Sequence, residues 1–134
     1  MPLSALEYLQ HILAETAYLL KSSHGLEKAA FVQDETLKRA YVRSLEVIGE
    51  AVKQLPDSLR QQHPGIGWRA IAGMRDRLIH GYFGIDYDIV WDVITNKIPT
   101  LDEAVKLIVS RQQFEQALIK ISDAEPREED KLPT

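Results

Sequence analysis

Apolar residues recur along this chain at intervals of three and four, the spacing that places them on one face of an α-helix. The first run follows Ser4 and Glu7, which form the capping-box pattern of a helix N-terminus, and it predicts a helix ending near Ser22. A second helix is predicted to be capped by Asp34 and stopped by Pro56. Its apolar stripe is Leu37, Tyr41, Leu45, Ile48, Val52 and Leu55.

The remaining helices are read from the same spacing and from the residues that interrupt it. Residues 23–33 have no clear period and are predicted to form a loop. A third helix begins near Trp68 and is predicted to close with Gly81 as its C′ residue. Pro99 is predicted to end a short helix, and Thr100 and Glu103 form the capping-box pattern that is predicted to start the last one. The last helix carries the apolar residues Ala104, Leu107, Leu118 and Ile121.

Valine and isoleucine nowhere alternate with polar residues over the length of a strand, so the pattern predicts an all-α protein. The expected architecture is an up-and-down bundle of four main helices plus one or two short ones. A chain of 134 residues fits one domain, which we assign to residues 1–121. Residues 122–134 are predicted to form an acidic tail, because their charged, proline-containing sequence is typical of disorder.

Composition narrows the class of protein. The chain has no cysteine, which excludes a disulfide framework, a thiolate metal site and a thiol nucleophile. The start of the chain lacks the pattern of a signal peptide, and no apolar run approaches the roughly 18 residues of a membrane-spanning helix. We therefore expect a soluble, cytoplasmic protein without a membrane partner. His11, His24 and His63 have no neighbours at ligand spacing, so neither a metal site nor a cofactor is expected.

Charge is unevenly distributed. The net charge of −4 argues against strong, non-specific binding of nucleic acid. It allows a catalyst that meets RNA at one small basic site. Residues 68–83 are the candidate for that site, because they gather three arginines, a histidine and a tyrosine around a predicted helix end and a glycine-containing turn.

Two of these side chains suffice for metal-independent cleavage of RNA. Histidine exchanges a proton near neutral pH, so His80 is predicted to handle the proton of the 2′-hydroxyl or of the leaving group. Arginine holds phosphate through a planar fork of donors. Arg75 is accordingly predicted to stabilise charge on the phosphorane-like transition state.

Helix geometry limits how these two residues can meet. Positions five apart differ by about 140° around a helix axis, so Arg75 and His80 converge only if the helix loosens or a second copy completes the site. The reaction also wants an acid and a base on opposite sides of the phosphate, whereas this segment offers one histidine. A two-fold homodimer that places two copies of His80 in one cleft would supply both.

The motif itself resembles a known family. Arginine, four residues and histidine, as in Arg75-Asp76-Arg77-Leu78-Ile79-His80, is similar to the ribonucleases of the HEPN superfamily, and the following Gly81-Tyr82 resembles the HepT branch. The resemblance extends over roughly residues 5 to 120. It includes Ile48-Gly49-Glu50-Ala51, His63-Pro64, Trp68-Arg69, Ile71-Ala72-Gly73-Met74, Phe83-Gly84-Ile85-Asp86 and Val90-Trp91.

This resemblance implies a toxin of a type VII-like HepT/MntA toxin–antitoxin system, a homodimeric endoribonuclease. Its usual partner is an MntA-type nucleotidyltransferase that transfers AMP from ATP to the motif tyrosine. Carried over to this sequence, Arg75 and His80 are catalytic, Asp76 orients the pair and Tyr82 accepts AMP. Arg77 is either a solvated charge or a contact to RNA. A bulky anion on Tyr82 would repel RNA phosphates and block the cleft.

Simpler interpretations of the same residues remain open. His80 could cap a helix C-terminus, and Arg75 could pair with Asp76 or Glu50. Tyr82 could be half-buried packing. At the level of function, the alternative is a non-catalytic helical adaptor that docks a nucleotidyltransferase and binds nucleotide.

Three further residues invite an interpretation. We interpret Trp68 and Trp91 as core anchors rather than as platforms for stacked bases. Arg111 lies near the apolar stripe of the last helix, where it could extend its charged end into solvent or make an interface contact.

Overall fold

The computed structural model describes residues 3–78 and 84–123. Its helices are α1 (Ala5–Ser23), α2 (Lys28–Gln33), α3 (Glu35–Lys53), α4 (Asp57–Gln62), α5 (Trp68–Ala72), α6 (Met74–Leu78), α7 (Tyr87–Asp92), a π-helical turn (Val93–Lys97) and α8 (Ile98–Asp123). Helices hold 84% of the described residues, which contain no strand, so the predicted all-α class is confirmed.

Two of the three predicted N-terminal caps are confirmed, and the capping box predicted at Thr100 and Glu103 is wrong, because both residues lie inside α8. The Ser4 hydroxyl accepts a hydrogen bond from the Glu7 backbone N–H at 3.1 Å, and the Glu7 carboxylate accepts one from the Ser4 N–H. The Asp34 carboxylate accepts from the Leu37 N–H at 3.0 Å and starts α3. Each cap satisfies backbone donors that a helix N-terminus leaves without an intrahelical partner.

The core lies between α1, α3 and the first half of α8, and α1 packs against both of the others. The predicted stripe of α3 is buried apart from Leu37, which is half-buried. A stack of aromatic rings joins α2 and α7 to this core, with Phe31 between Tyr41 and Trp91 at ring-centroid distances of 5.2 Å. Burial raises the pKa of Tyr41, whose hydroxyl is hydrogen-bonded to Ser22. Trp68 is 7% exposed, which confirms its role as a core anchor.

Three local expectations are wrong. Residues 23–33 contain α2, a helix too short to show a period, because Phe31 is its one buried residue. The third predicted helix is divided at Gly73 into α5 and α6, so these two short helices take the place of the bundle's fourth member. Pro99 does not end a helix, since the backbone stays helical from Tyr87 to Asp123. The π-helical turn before Pro99 widens the helix where a proline ring would clash with a carbonyl group one turn earlier.

The outer positions of α8 also differ from expectation. Leu107, Leu118 and Ile121 were expected to carry the last helix into the core, yet they are 63%, 49% and 72% exposed. The predicted tail boundary falls near the end of α8, which continues to Asp123, and residues 124–134 lie outside the described part of the chain. No helix within residues 3–78 and 84–123 combines the length and apolarity that crossing a membrane requires.

One buried polar contact ties α1 to α8. The Thr16 hydroxyl donates to the Asp102 carboxylate at 2.7 Å, and Asp102 is 3% exposed. Lys106 approaches the other carboxylate oxygen at 2.8 Å from the solvent side. The hydrogen bond to Asp102 raises the pKa of Lys106. Each carboxylate oxygen of Asp102 thus has a partner.

Removing this carboxylate should destabilise the fold. We expect Asp102→Ala to lower the free energy of unfolding by about 2 kcal/mol, because it deletes a hydrogen bond to a charged group and opens a buried site. Urea denaturation followed by circular dichroism measures the loss. Lys106→Ala is the matched control and should cost under about 1 kcal/mol, since its ammonium is exposed. Equal losses in the two variants would show that the Thr16–Asp102 hydrogen bond adds nothing beyond the ion pair within α8.

Candidate active site

The backbone of α5 lies against α3 at Gly49. A methyl group built on Gly49 would come within 3.2 Å of the Ile71 carbonyl oxygen and 3.5 Å of the Ala72 carbonyl oxygen. Trp68 fixes the start of α5, because its indole N–H donates to the His63 carbonyl at 3.0 Å. These two contacts place α5, and therefore α6, on the surface of α3.

Three consecutive charged residues project from α6. Met74 and Leu78 are 6% and 1% exposed and hold the two ends of this five-residue helix in the core. Arg75, Asp76 and Arg77 are all exposed. Because Met74 and Leu78 occupy the buried face of α6, the three charged side chains between them point to solvent.

The alternative ion pairs of Arg75 do not form within the described residues. Glu50 pairs with Lys53 at 3.2 Å, and Arg75 has no carboxylate within 4.0 Å among the described side chains. Arg77 has no such partner there either. By contrast, six other lysines and arginines of the described chain have carboxylate partners: Lys28, Lys38, Arg43, Lys53, Arg60 and Lys106. The positive charge on α6 is therefore available to an anionic ligand.

The segment after α6 is fixed at both of its ends. The Asp86 backbone N–H donates to the Leu78 carbonyl at 3.0 Å, which closes the chain on itself across the intervening residues. The Asp86 carboxylate accepts from the backbone N–H groups of Asp88 and Ile89 and starts α7. His80 and Tyr82 lie outside the described residues, as does Gly81 with its predicted C′ role.

A groove opens beside α6. It has a volume of about 450 Å³ and lies between α5–α6 on one side and the π-helical turn and the start of α8 on the other. Arg77 and Lys97 contribute cations to its lining. Sequence reasoning singled out Arg77 but missed Lys97, because Pro99 was taken as the end of a helix and nothing in the sequence indicated a π-helical turn. In the described residues, no group of three or more His, Asp or Glu side chains could hold a metal ion.

The helical fold and the basic helix α6 define an all-α protein with a surface suited to an anionic substrate, and sequence comparison gives its family. Residues 5–108 match the family described as Ribonuclease HepT-like, and the chain belongs to it. No solved structure matches the chain at a significant level.

Relatives from three organisms carry compatible names. A predicted RNase of Caldanaerobacter subterraneus subsp. tengcongensis is 49% identical over 79% of this chain and 95% of its own length. A predicted RNase of Methanocaldococcus jannaschii is 38% identical over 76% of this chain and 84% of its own. A protein of Thermococcus cleftensis named as a predicted ribonuclease HepT is 37% identical over 71% of this chain and 86% of its own.

Proposed function

We propose that this protein is a metal-independent endoribonuclease that acts as the toxin of a type VII-like toxin–antitoxin pair. Membership of the HepT-like ribonuclease family supports the activity. The observation that carries the proposal is the exposed Arg75, which has no counter-ion among the described residues and stands on a helix whose ends are buried. An exposed guanidinium without a carboxylate partner can bind a phosphate.

In this mechanism the RNA supplies its own nucleophile. His80 takes the proton of a 2′-hydroxyl as the oxygen attacks the adjacent phosphorus, and Arg75 stabilises the negative charge that builds on the phosphorane. The bond to the 5′-oxygen breaks, and that oxygen takes a proton from the imidazolium that His80 has become. The products are a 2′,3′-cyclic phosphate and a 5′-hydroxyl. Asp76 makes no ion pair with Arg75 within the described residues, so its proposed role is to orient His80, and Arg77 binds another part of the RNA.

We also propose that the protein is a homodimer. The surface proposed for dimerisation is the α8 stripe, which we define as Leu107, Arg111, Phe114, Leu118 and Ile121. Its members are spaced by four, three, four and three residues, the heptad spacing of helices that pack in pairs. Phe114 is 65% exposed, like the leucines and isoleucine of the stripe. An apolar row of this size exposed to water favours a partner with the same spacing.

Arg111 selects the relative direction of the two helices. In a parallel pair, equivalent heptad positions meet, so Arg111 would face Arg111 of the partner subunit and two like charges would be desolvated together. In an antiparallel pair, Arg111 can lie over the ring of Phe114 of the partner subunit, which attracts its guanidinium. We therefore propose an antiparallel, two-fold contact between the two copies of α8.

Regulation is proposed to act through Tyr82. An MntA-type nucleotidyltransferase would transfer AMP from ATP to the tyrosine hydroxyl, forming a phosphodiester to oxygen and releasing pyrophosphate. The added phosphate carries negative charge two residues from His80. It would therefore repel the RNA backbone where Arg75 attracts it.

Ribonuclease activity is tested on protein made without its partner and shown by intact mass to carry no adduct. We expect cleavage of total RNA in EDTA with 2′,3′-cyclic phosphate ends. His80→Ala and Arg75→Ala should each lower the rate by about 10²- to 10⁴-fold, the usual contribution of a positioned proton donor or charge.

Arg39→Ala is the matched control, because Arg39 is an exposed arginine on α3 without an ion pair in the described chain. It should cleave like the wild type. Absence of cleavage by unmodified, dimeric wild type would contradict the proposal and favour the non-catalytic adaptor.

The dimer contact is tested with one charge placed on each side of α8. Phe114→Glu should raise the dimer dissociation constant by at least about 30-fold, the cost of a buried aromatic hot spot, and RNA cleavage should fall with it. Gln116→Glu adds the same charge opposite the stripe and should leave the mass in light scattering unchanged.

Because the chain has no cysteine, single cysteine substitutions also report whether the two α8 helices run parallel or antiparallel. In an antiparallel pair, Leu107→Cys and Leu118→Cys should each fail to cross-link with themselves and should cross-link when mixed. Self-cross-linking at both positions would establish a parallel pair, and a monomeric wild type would remove the contact altogether.

Modification is tested by incubating the purified chain with the nucleotidyltransferase and ATP. Intact mass should rise by whole AMP groups, and RNA cleavage should fall in proportion to the modified fraction. Tyr82→Phe should gain no mass, whereas Tyr87→Phe, which alters a tyrosine five residues away, should be modified like the wild type. Inhibition of Tyr82→Phe by the partner without a mass change would show that the antitoxin covers the cleft instead.

A further inference from the structure

The groove beside α6 combines an apolar interior with a charged rim. Its interior is formed by Ile66, Ile71, Met74, Leu78, Val93 and Leu101. Its volume of about 450 Å³ lies in the range of sites that bind small organic groups. The opposite wall is the π-helical turn, and such turns occur frequently at functional sites.

The polar groups at this groove favour a ligand with negative charge. Arg77 and Lys97 stand on opposite walls, and neither has a carboxylate within 4.0 Å among the described residues. The single carboxylate of the lining, Asp92, accepts a hydrogen bond from the Asn96 side-chain amide at 2.7 Å. In a chain whose net charge is −4, two such cations flank this one apolar groove.

A nucleotide unit of single-stranded RNA has the matching chemistry. Its base is a flat group with an apolar face, and a phosphate flanks it on each side. Proteins that recognise single-stranded RNA place unstacked bases in pockets and neutralise the backbone with arginine and lysine. Helix α6 carries Arg77 at the groove, whereas Arg75, two residues earlier, lies about 160° away around the helix axis, so an RNA strand held at the groove has to cross α6 to reach the proposed cleavage site.

We propose that this groove binds one unpaired base of the RNA substrate, with Arg77 and Lys97 on the adjacent phosphates. The inference rests on the proposed ribonuclease function and adds to it a subsite that selects a base of the RNA at a distance from the cleaved bond. Cleavage is then confined to single-stranded RNA and shows a preference for one base at a fixed distance from the cut.

The first test fills the groove. Ala70 is exposed on α5 and lines the groove, so Ala70→Phe occupies the space without repacking the core. In the His80→Ala background, short fluorescent RNAs of each base bind without being cut. Ala70→Phe should weaken binding of the preferred homopolymer by about 10-fold, the value of one stacked base, and should level the differences between bases. Ala17→Phe, the same change on an exposed alanine of α1, should alter neither.

The second test removes one charge. Lys97→Gln should lower the slope of log Kd against log salt by about 1, as expected for the loss of one phosphate contact. Lys21→Gln, at an exposed lysine of α1 without an ion pair in the described chain, should leave the slope unchanged. A slope unaffected by Lys97→Gln would overturn the assignment of this cation.

The outcomes separate the groove from the proposed function. If the wild type cleaves RNA but Ala70→Phe changes neither affinity nor base preference, the proposed base-binding role of the groove is wrong. The proposed ribonuclease function is then unaffected. Without any cleavage, chemical-shift changes of the Asn96 side-chain amide on titration with nucleoside monophosphates would support the groove alone. A fall in dimer mass on Ala70→Phe, with RNA affinity intact, would overturn the proposal by showing that a second copy covers this groove.

Discussion

Close backbone contact between α3 and α5 at Gly49 decides where the charged helix lies. Because the side chain of Gly49 is a hydrogen atom, the carbonyl end of α5 can approach α3 closely. A methyl group at this position would lie only 3.2 Å from the Ile71 carbonyl oxygen. The chain then has only Gly73 between α5 and α6, so α6 must start at the same surface. Its buried ends, Met74 and Leu78, turn the three intervening charges toward solvent. The electrostatic character of the site is thus a consequence of helix packing.

The continuous helical segment from Tyr87 to Asp123 performs two structural tasks. Its first half supplies core residues, the buried Asp102 and one wall of the groove. Beyond Val109 its residues are exposed except for the half-buried Gln112, so the second half extends past the core of its own chain. The π-helical turn makes this division possible, because it carries the helix through Pro99 where a regular α-helix would break.

Sequence reasoning succeeded where local chemistry decides the structure. The caps at Ser4 and Asp34 and the buried stripe of α3 follow from side-chain hydrogen bonding and from 3.6-residue periodicity, and both are visible in one dimension. The continuation through Pro99 is different, since the local rule predicts a break and the surrounding packing overrides it. The position of Leu107 shows another limit. An apolar stripe has the same spacing whether it faces its own core or another chain, so periodicity could not reveal its exposure.

In the candidate site, too, some residues could be chosen from the sequence and others could not. Arg75, Asp76 and Arg77 were chosen from residue chemistry and family resemblance, and the structure shows their exposure and their lack of ion pairs among the described residues. The roles of His80 and Tyr82 remain predictions, because both residues lie outside the described part of the chain. Lys97 could not be chosen at all, since its distance from Arg77 along the sequence carries no information about the shared groove.

An acidic protein can bind RNA if its cations are distributed unequally. Six of the fourteen described lysines and arginines have a carboxylate within 4.0 Å, as Lys53 has Glu50 one turn away. Charges beyond about 8 Å are largely screened at physiological ionic strength, so the overall charge of −4 acts weakly on a phosphate at α6. What the phosphate meets there is Arg75 and Arg77, without carboxylate partners in the described chain.

The groove also adjoins the α8 stripe, since Ala104 lines the groove one turn before Leu107. A second copy on the stripe would therefore narrow the groove's open side and exclude water from the base and from its two cations. That exclusion would strengthen the attraction between the cations and the RNA backbone, so dimer formation and substrate binding would favour each other.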